Sequence, residues 1–334
     1  MSISVQQIRL ARRPMGEPTP SNFEPTVAEL GDPLEGQVLR RTIYLSLDPY
    51  MRGRMNSGRS YVDPVEVGHV MCGGTVSQVI DSRNPGFTHG DYVLGYDGWQ
   101  THAVSDGRDL RKVDSSFKLS YYLGVLGMPG LTAYVGMLDI GKPQPGETVV
   151  VSAACGAVGT VAGQIARLRG CRVIGTTGSD AKCEYCTKEL GFDACVNYRS
   201  EPLLRGLKRA CPDGIDIYFD NVGGDVLATV LRLINVGARI PLIGMISQYN
   251  ATEMVPGPNL MPILVKRAML RGMIVHDHAD REDAFRTDMA AWLRQGQIKY
   301  PETVEQGLQN APEAFMGLFR GDNVGKLLVQ VSNE

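Results

Sequence analysis

The stretch ETVVVSAACGAVGTVAGQIARLRGCRVIGTTGS, residues 147–179, decides how the chain is read. It opens on an apolar run from Thr148 to Ser152, the length of a buried strand. A turn of small residues follows. Then Val158, Val161, Ile165 and Leu168 recur at spacings of three and four, which predicts one apolar helix face. A second apolar run, CRVIGTT, closes the unit. Strand, tight turn, helix and strand in this order are the setting a dinucleotide-binding turn requires. Ala154, Gly156 and Gly159 stand where that fingerprint has Gly-x-Gly-x-x-Gly. Small residues let the backbone approach a pyrophosphate, whose charge a helix N-terminus favours. Gly159 and Gly163 are expected to let the helix sit close to the strands. A glycine-rich turn alone would say only α/β; the flanking runs give it weight.

Working outward, the same rhythm continues to about residue 300. Strands are expected at ACVNY, DIYFDNV, ARIPLIG and RGMIV, and helices at 157–169, 180–190, 201–210 and 224–234. Parallel strands need such crossovers, so a doubly wound sheet follows. Before about Lys118 the pattern is β-rich, with runs such as GQVLRRTIYLSL and GDYVLGY between Pro and Gly punctuation. After Tyr300 come a helical piece, APEAFMGLFRG, and a strand, GKLLVQV, which are expected to return to the first domain. The expected class is α/β, with domains of 1–120 plus 300–334 and of 121–299.

Composition narrows the function. The chain has 334 residues, 43% apolar and 21% charged, ordinary for a soluble globular protein of two domains. A formal net charge of −2 gives no electrostatic case for nucleic acid or an anionic membrane. No apolar run is long enough to span a bilayer, and MSISVQQIRLARRPMGEPTP has no continuous apolar core of a signal peptide. The 7 cysteines form no disulfide-like framework and read as reduced thiols of a cytoplasmic protein.

The second strand indicates which dinucleotide. An NAD site places an acid near its end to accept from the ribose 2′-hydroxyl. Residues 175–179 are uncharged, and Asp180 reads as a helix N-terminal residue. Lys182 and the Tyr198 hydroxyl suit a 2′-phosphate, with Gly178 beside them, so NADP(H) is favoured. Otherwise Lys182 is a solvated helix lysine.

PVEVGHVMCGGTV, residues 64–76, raises the question of zinc. Catalytic zinc needs three protein ligands and an open position. Val70 follows His69 where zinc dehydrogenases have glutamate, and YLSLDPYMRGRM supplies neither Cys nor His. Cys155 reads as a space-filler in the turn. Cys183 and Cys186, in CEYC, read as an incidental pair in a helix. No metal is expected, and His69 reads as a structural histidine.

LSLDPYMRGRM, GMPGLTAY, the turn sequence above, YFDNVGG, IGMISQYN and FRGDNVGK run in order from residue 45 to 326. Through them the chain resembles the zinc-independent branch of the medium-chain dehydrogenase/reductase superfamily. Within that branch it is similar to the leukotriene B4 12-hydroxydehydrogenase, prostaglandin reductase and curcumin-type double-bond reductase group. The resemblance implies a GroES-like β-rich domain completed by the tail, with a Rossmann domain inserted. It implies Gly156, Ala157, Val158 and Gly159 against the pyrophosphate, and Lys182 and Tyr198 at the 2′-phosphate. It further implies contacts from Asn221 and a nicotinamide side lined by Gly244 to Tyr249 (Ile246 and Ser247 included) and by Met273, Ile274 and Val275. Asn323 would close over the cofactor. Cys155 and His69 depart from the group's pattern. A homodimer is expected from the resemblance alone.

Members of this group reduce the C=C bond of α,β-unsaturated ketones and aldehydes. Hydride goes to the β-carbon and charge develops on the carbonyl oxygen, which calls for a hydrogen-bond donor and a proton. Tyr249 is the first choice for that donor, because ligands bind at strand carboxyl ends in such sheets. Its alternative is a surface loop tyrosine. Tyr50 is the second, with wall packing as its alternative, and Tyr61 a distant third. Met128 and Met245 are candidates to shape the substrate pocket, with core packing the alternative for most methionines. Quinone reduction on the same fold and non-catalytic NADPH sensing are the competing readings.

Overall fold

The structure is a computed structural model that describes residues 2–58 and 60–334. The chain divides into two compact units. One runs to Leu123 and regains Thr303–Asn323 and Leu327–Glu334; the other holds Gly124–Glu302 and Val324–Lys326.

The first unit begins with a hairpin, β1 (Ile3–Leu10) against β2 (Phe23–Leu30). Its main strands are β3 (Val38–Ser46), β4 (Thr75–Ser82), β5 (Tyr92–Gly95), β6 (His102–Ser105) and β7 (Arg111–Lys112), with a one-turn helix α1 (Met51–Arg54) after β3. Every pairing among them is antiparallel. The buried runs of β3 are explained by its place between partners on both sides.

In the second unit, helix α2 (Met128–Val135) precedes β8 (Thr148–Ser152). Then come α3 (Ala157–Leu168), β9 (Arg172–Thr177), α4 (Asp180–Lys188), β10 (Ala194–Asn197), α5 (Leu203–Ala210), β11 (Ile215–Phe219), α6 (Gly224–Leu231), β12 (Ile234–Leu242), α7 (Met261–Lys266), β13 (Met269–Gly272) and α8 (Glu282–Arg294). The strands order as β10-β9-β8-β11-β12-β13, all parallel. This is the doubly wound order, whose strand direction of travel reverses between β8 and β11. All of β8 is buried, as its apolar run requires for a strand covered on both faces.

The last elements, β14 (Glu302–Gln306), α9 (Ala311–Arg320) and β15 (Lys326–Gln330), bring β15 antiparallel onto β3. Phe315 of α9 enters the first unit's core. There Trp99 stacks on Phe23 at 5.5 Å and meets Phe315 edge-on at 5.7 Å. Removing such a buried ring costs about 3–5 kcal/mol.

Four local expectations need correction. Leu168 is exposed, so α3 buries Val161, Ala162, Ile165 and Ala166 instead. The helix begins to turn out of the core at its last residue, before Gly170. The last strand is Met269–Gly272 rather than RGMIV. After Gly272 the chain leaves the ladder, with Met273 N–H still on the Leu242 carbonyl at 3.2 Å, and enters a short helical turn at Val275. The expected 201–210 helix starts at Leu203, because Pro202 sits at its N-cap with a non-helical ψ of 119°. Gly163 also has a purpose other than strand contact: a Cβ there would strike the Phe192 ring at 2.0 Å.

Candidate functional site

The turn after β8 is built by backbone constraint. Ala153 takes a left-handed φ of 47°, unusual for a residue with a Cβ and costing about 1–2 kcal/mol. Its carbonyl accepts from Gly156 N–H at 2.9 Å and would lie 2.4 Å from a Cβ on Gly159. Gly159 is therefore required by a close backbone approach. α3 then starts at Ala157 with Gly156 as N-cap. The first amides of a helix have no partner within it, so those of Ala157, Val158 and Gly159 are donors suited to an anion. The same turn is held by Gly325 N–H donating to the Cys155 carbonyl at 2.8 Å.

A second corner forms where β9 ends. Ser179 caps α4, its hydroxyl accepting from Lys182 N–H at 3.3 Å. Asp180 accepts from Asn197 Nδ2 at 2.7 Å, which ties it to the end of β10. A Cβ on Gly178 would lie 2.9 Å from the Tyr198 hydroxyl and 3.2 Å from Arg199 Nε. The corner thus combines a glycine, a phenol and a guanidinium one strand from the Lys182 helix. Arg199 was not among the expected residues; a base following Tyr198 was its only sequence sign.

Between β11 and α6 the chain wraps around Asp220. Its Oδ1 accepts from the Tyr218 hydroxyl at 2.8 Å, Ser152 Oγ at 3.1 Å and the amides of Val222 and Gly223 at 2.9 Å each. Oδ2 is buried without a partner among the described residues. Burial pushes this carboxyl above its ordinary range. Asn221 donates Nδ2 to the Ser152 carbonyl at 2.7 Å and its N–H to Ser152 Oγ at 2.9 Å, so its Oδ1 is the group left to accept from a ligand. These contacts lock the carboxyl ends of β8 and β11 together at the switch point.

The loop after β12 is stitched to that turn. Gly244 N–H reaches the Asp220 carbonyl at 3.2 Å, Ile246 N–H the Asn221 carbonyl at 3.4 Å, and Ser247 Oγ the Val222 carbonyl at 2.6 Å. The Tyr249 hydroxyl turns back over the loop, accepting from Met245 N–H at 3.4 Å beside Gly244. Burial raises its pKa above 10.0, so the phenol keeps its proton at neutral pH. Met245 packs beside Gly223. Met273, Ile274 and Val275 follow β13 at the same end of the sheet, with Met273 buried. All the expected residues from 156 to 275 therefore gather at the strand carboxyl ends of the second unit.

Tyr50 and Asn323 belong to the first unit. The Tyr50 hydroxyl pairs with that of Tyr96 at 2.5 Å. Burial, with Asp48 nearby, pushes Tyr50 well above its ordinary range, and burial raises Tyr96 as well. Tyr96 borders a cavity of about 320 Å³ that Arg54, Val65, His69, Met71 and Cys72 also line. Sequence reading missed Tyr96, which lies 46 residues from its partner. His69 sits in an exposed turn and Tyr61 is exposed. Among the described residues no three His, Cys, Asp or Glu side chains are arranged to hold a metal ion.

Fold and turn together define a two-unit α/β protein with a dinucleotide-type switch-point site. Residues 6–113 match a family described as the N-terminal domain of oxidoreductase, and 157–293 one described as zinc-binding dehydrogenase. The NADPH-dependent curcumin reductase of Escherichia coli is 50% identical, covering 97% of this chain and 96% of that protein. Prostaglandin reductase 1 of Rattus norvegicus is 44% identical over 94% of this chain and 95% of its own. The NADPH complex of CurA from Vibrio vulnificus superposes with a TM-score of 0.95 at 49% identity, covering 98% and 100% of the two chains. The chain belongs to the zinc-independent group of the medium-chain dehydrogenase/reductase family.

Proposed function

We propose that this protein is an NADPH-dependent reductase of the C=C bond in α,β-unsaturated ketones and aldehydes. The observation that carries the reading is the half-buried Tyr249 hydroxyl at the switch-point end of the sheet, in a chain half identical to an enzyme named a curcumin reductase.

The residues present fit NADPH. The space a Cβ on Gly159 would fill is closed by backbone, and the first amides of α3 offer donors for a pyrophosphate. At the 2′-phosphate, Gly178, Lys182 and Tyr198 supply room, charge and a hydroxyl, and the acid that would favour NAD is engaged elsewhere as Asp180. Asn221, Gly244, Ile246, Ser247 and Met273 to Val275 then line the nicotinamide side.

Bound NADPH supplies the hydride that adds to the electrophilic β-carbon. Tyr249 donates a hydrogen bond to the carbonyl oxygen as charge gathers there, and delivers a proton directly or through water. Its oxygen is turned to Met245 N–H, which leaves the hydroxyl proton for substrate. Tyr50, paired with Tyr96, is the second candidate donor. Because the conjugated carbonyl is itself an electron sink, the step asks for no metal.

We take residues 1–120 and 300–334 as the catalytic GroES-like domain and 121–299 as the NADP-binding domain. In solution a homodimer is proposed through β13, an edge strand of the parallel sheet, flanked by exposed Met261, Leu264, Val265 and Met269. The seven free thiols support a reducing, cytoplasmic setting.

The deciding assay follows NADPH oxidation with a 2-alkenal, an aryl enone, a saturated aldehyde and a quinone, with products weighed. Loss of the C=C bond with the carbonyl retained is expected. An allylic alcohol product, or turnover of the quinone alone, would sink the reading.

A further inference from the structure

Four of the cysteines meet in the second unit. Cys155 comes from the turn after β8, Cys183 and Cys186 from one face of α4, and Cys195 from β10, on which α4 packs. Each thiol lies close enough to the next to influence its charge, in the order Cys155, Cys186, Cys195, Cys183. CEYC is therefore half of a cluster rather than an incidental pair. The backbone makes room for it. Cys195 registers against Gly175 of β9, and a Cβ on Gly175 would lie 3.2 Å from the Cys195 sulfur. Thr177 Oγ1 stands 3.2 Å from the Cys183 sulfur and 3.9 Å from that of Cys195.

The four thiols are not equivalent. Cys155 and Cys186 are buried, whereas Cys183 and Cys195 reach the surface. The neighbouring Cys183 and Cys186 thiols, with Thr177 Oγ1 beside them, hold Cys195 below the usual thiol range, while Cys183 is pushed up. A reactive cysteine needs both thiolate character and access, and Cys195, half-buried with Cys183 across Thr177 Oγ1 from it, is the thiol of the four placed for both. The cluster is not arranged as a metal site. It borders the corner made by Gly178, Lys182 and Tyr198, since Lys182 precedes Cys183 and Tyr198 lies three residues past Cys195.

We propose that Cys195 and Cys183 form a peroxide-responsive dithiol at the 2′-phosphate corner, and that closing it to a disulfide weakens NADPH binding. The coupling to NADPH rests on the function proposed above. The Cys195 thiolate attacks one oxygen of a peroxide, the O–O bond breaks, and a sulfenic acid and one water result. The Cys183 sulfur then attacks the Cys195 sulfur, the S–S bond forms, the S–O bond breaks, and a second water leaves. Two thiols lose two electrons and two protons, and the peroxide is reduced to water. A disulfide holds its sulfurs about 2.05 Å apart, so closing it draws the start of α4 onto β10 and displaces Lys182 and the Ser179 cap.

The test treats the full-length protein with stoichiometric hydrogen peroxide, maps disulfides by peptide mass, and measures NADPH affinity by fluorescence before and after. The expected result is a Cys183–Cys195 link, reversed by dithiothreitol, with affinity lowered about tenfold. Cys195→Ser should bind NADPH normally and lose the peroxide response. Cys183→Ser should leave a sulfenic acid on Cys195 that dimedone traps. A link between Cys155 and Cys186, oxidation of all the thiols at one rate, or a link without change in affinity would overturn the proposal. A reduced protein that binds no NADPH would instead overturn the functional reading, with the mapped link still deciding the dithiol.

Discussion

At the scale of single residues, two side chains at the switch point have separable duties. Tyr249 is proposed to act on substrate. Tyr249→Phe should lower kcat about a hundredfold with little change in KM, read by steady-state kinetics. Because burial raises its pKa above 10.0, the wild-type donor stays protonated across neutral pH. The alkaline fall in kcat should therefore begin above pH 10.0 and vanish in the Phe variant. Asp220 acts on the fold. Asp220→Ala strands four donors and should cost about 3 kcal/mol or more in urea unfolding. Its folded pKa is raised above the ordinary 3.8, so its contribution is full below 3.8 and lost as pH rises through the folded value. Wild type should accordingly lose stability relative to Asp220→Asn between acid and neutral pH. Neither the Asp220 wrap nor the Tyr50–Tyr96 pair was legible in the sequence, because each is made by residues that only turn geometry or a sheet brings together.

At the scale of elements, the β9–α4 connection is the part proposed to choose the cofactor. Sequence reading found its main features: no acid through residue 179, a base at Lys182, and a helix starting at Asp180. The reason is local, since capping and strand-end chemistry depend on near neighbours. Lys182→Ala should raise the NADPH dissociation constant about tenfold or more and leave NADH binding nearly unchanged, as measured by fluorescence titration. Equal losses for both cofactors would show that Lys182 only supports the helix. Arg199 entered this corner just past β10, a strand whose register against β9 no local pattern specifies. The misplaced ends of α5 and β13 have the same cause, since Pro202 and the departure after Gly272 fix boundaries that periodicity leaves loose.

At the scale of the whole molecule, the tail illustrates how a distant segment completes a core. Phe315 stands 216 residues from its partner Trp99, counted along the chain, yet packs edge-on against it. The apolar periodicity of APEAFMGLFRG announces a buried face but not what buries it. The exposed face around α7 and β13 poses the complementary question, and we assign it to a second copy. Leu264, 73% exposed, is the point to test. Leu264→Glu should convert a dimer to a monomer in light scattering while NADPH binding persists. A wild-type monomer would remove the assignment.

The sequence by itself determined the α/β class, the order of strands and helices, the switch-point turn and the preference for a phosphorylated dinucleotide. Those features are written in short-range patterns: period, small residues at fixed offsets, and charge at a strand end. Tertiary structure decided which side chains became a site. It joined Cys155, Cys183, Cys186 and Cys195, paired Tyr50 with Tyr96, buried Asp220 among four donors and folded the Tyr249 hydroxyl over Gly244. Contacts of that kind depend on register and packing between segments far apart in the chain, where sequence spacing carries no distance.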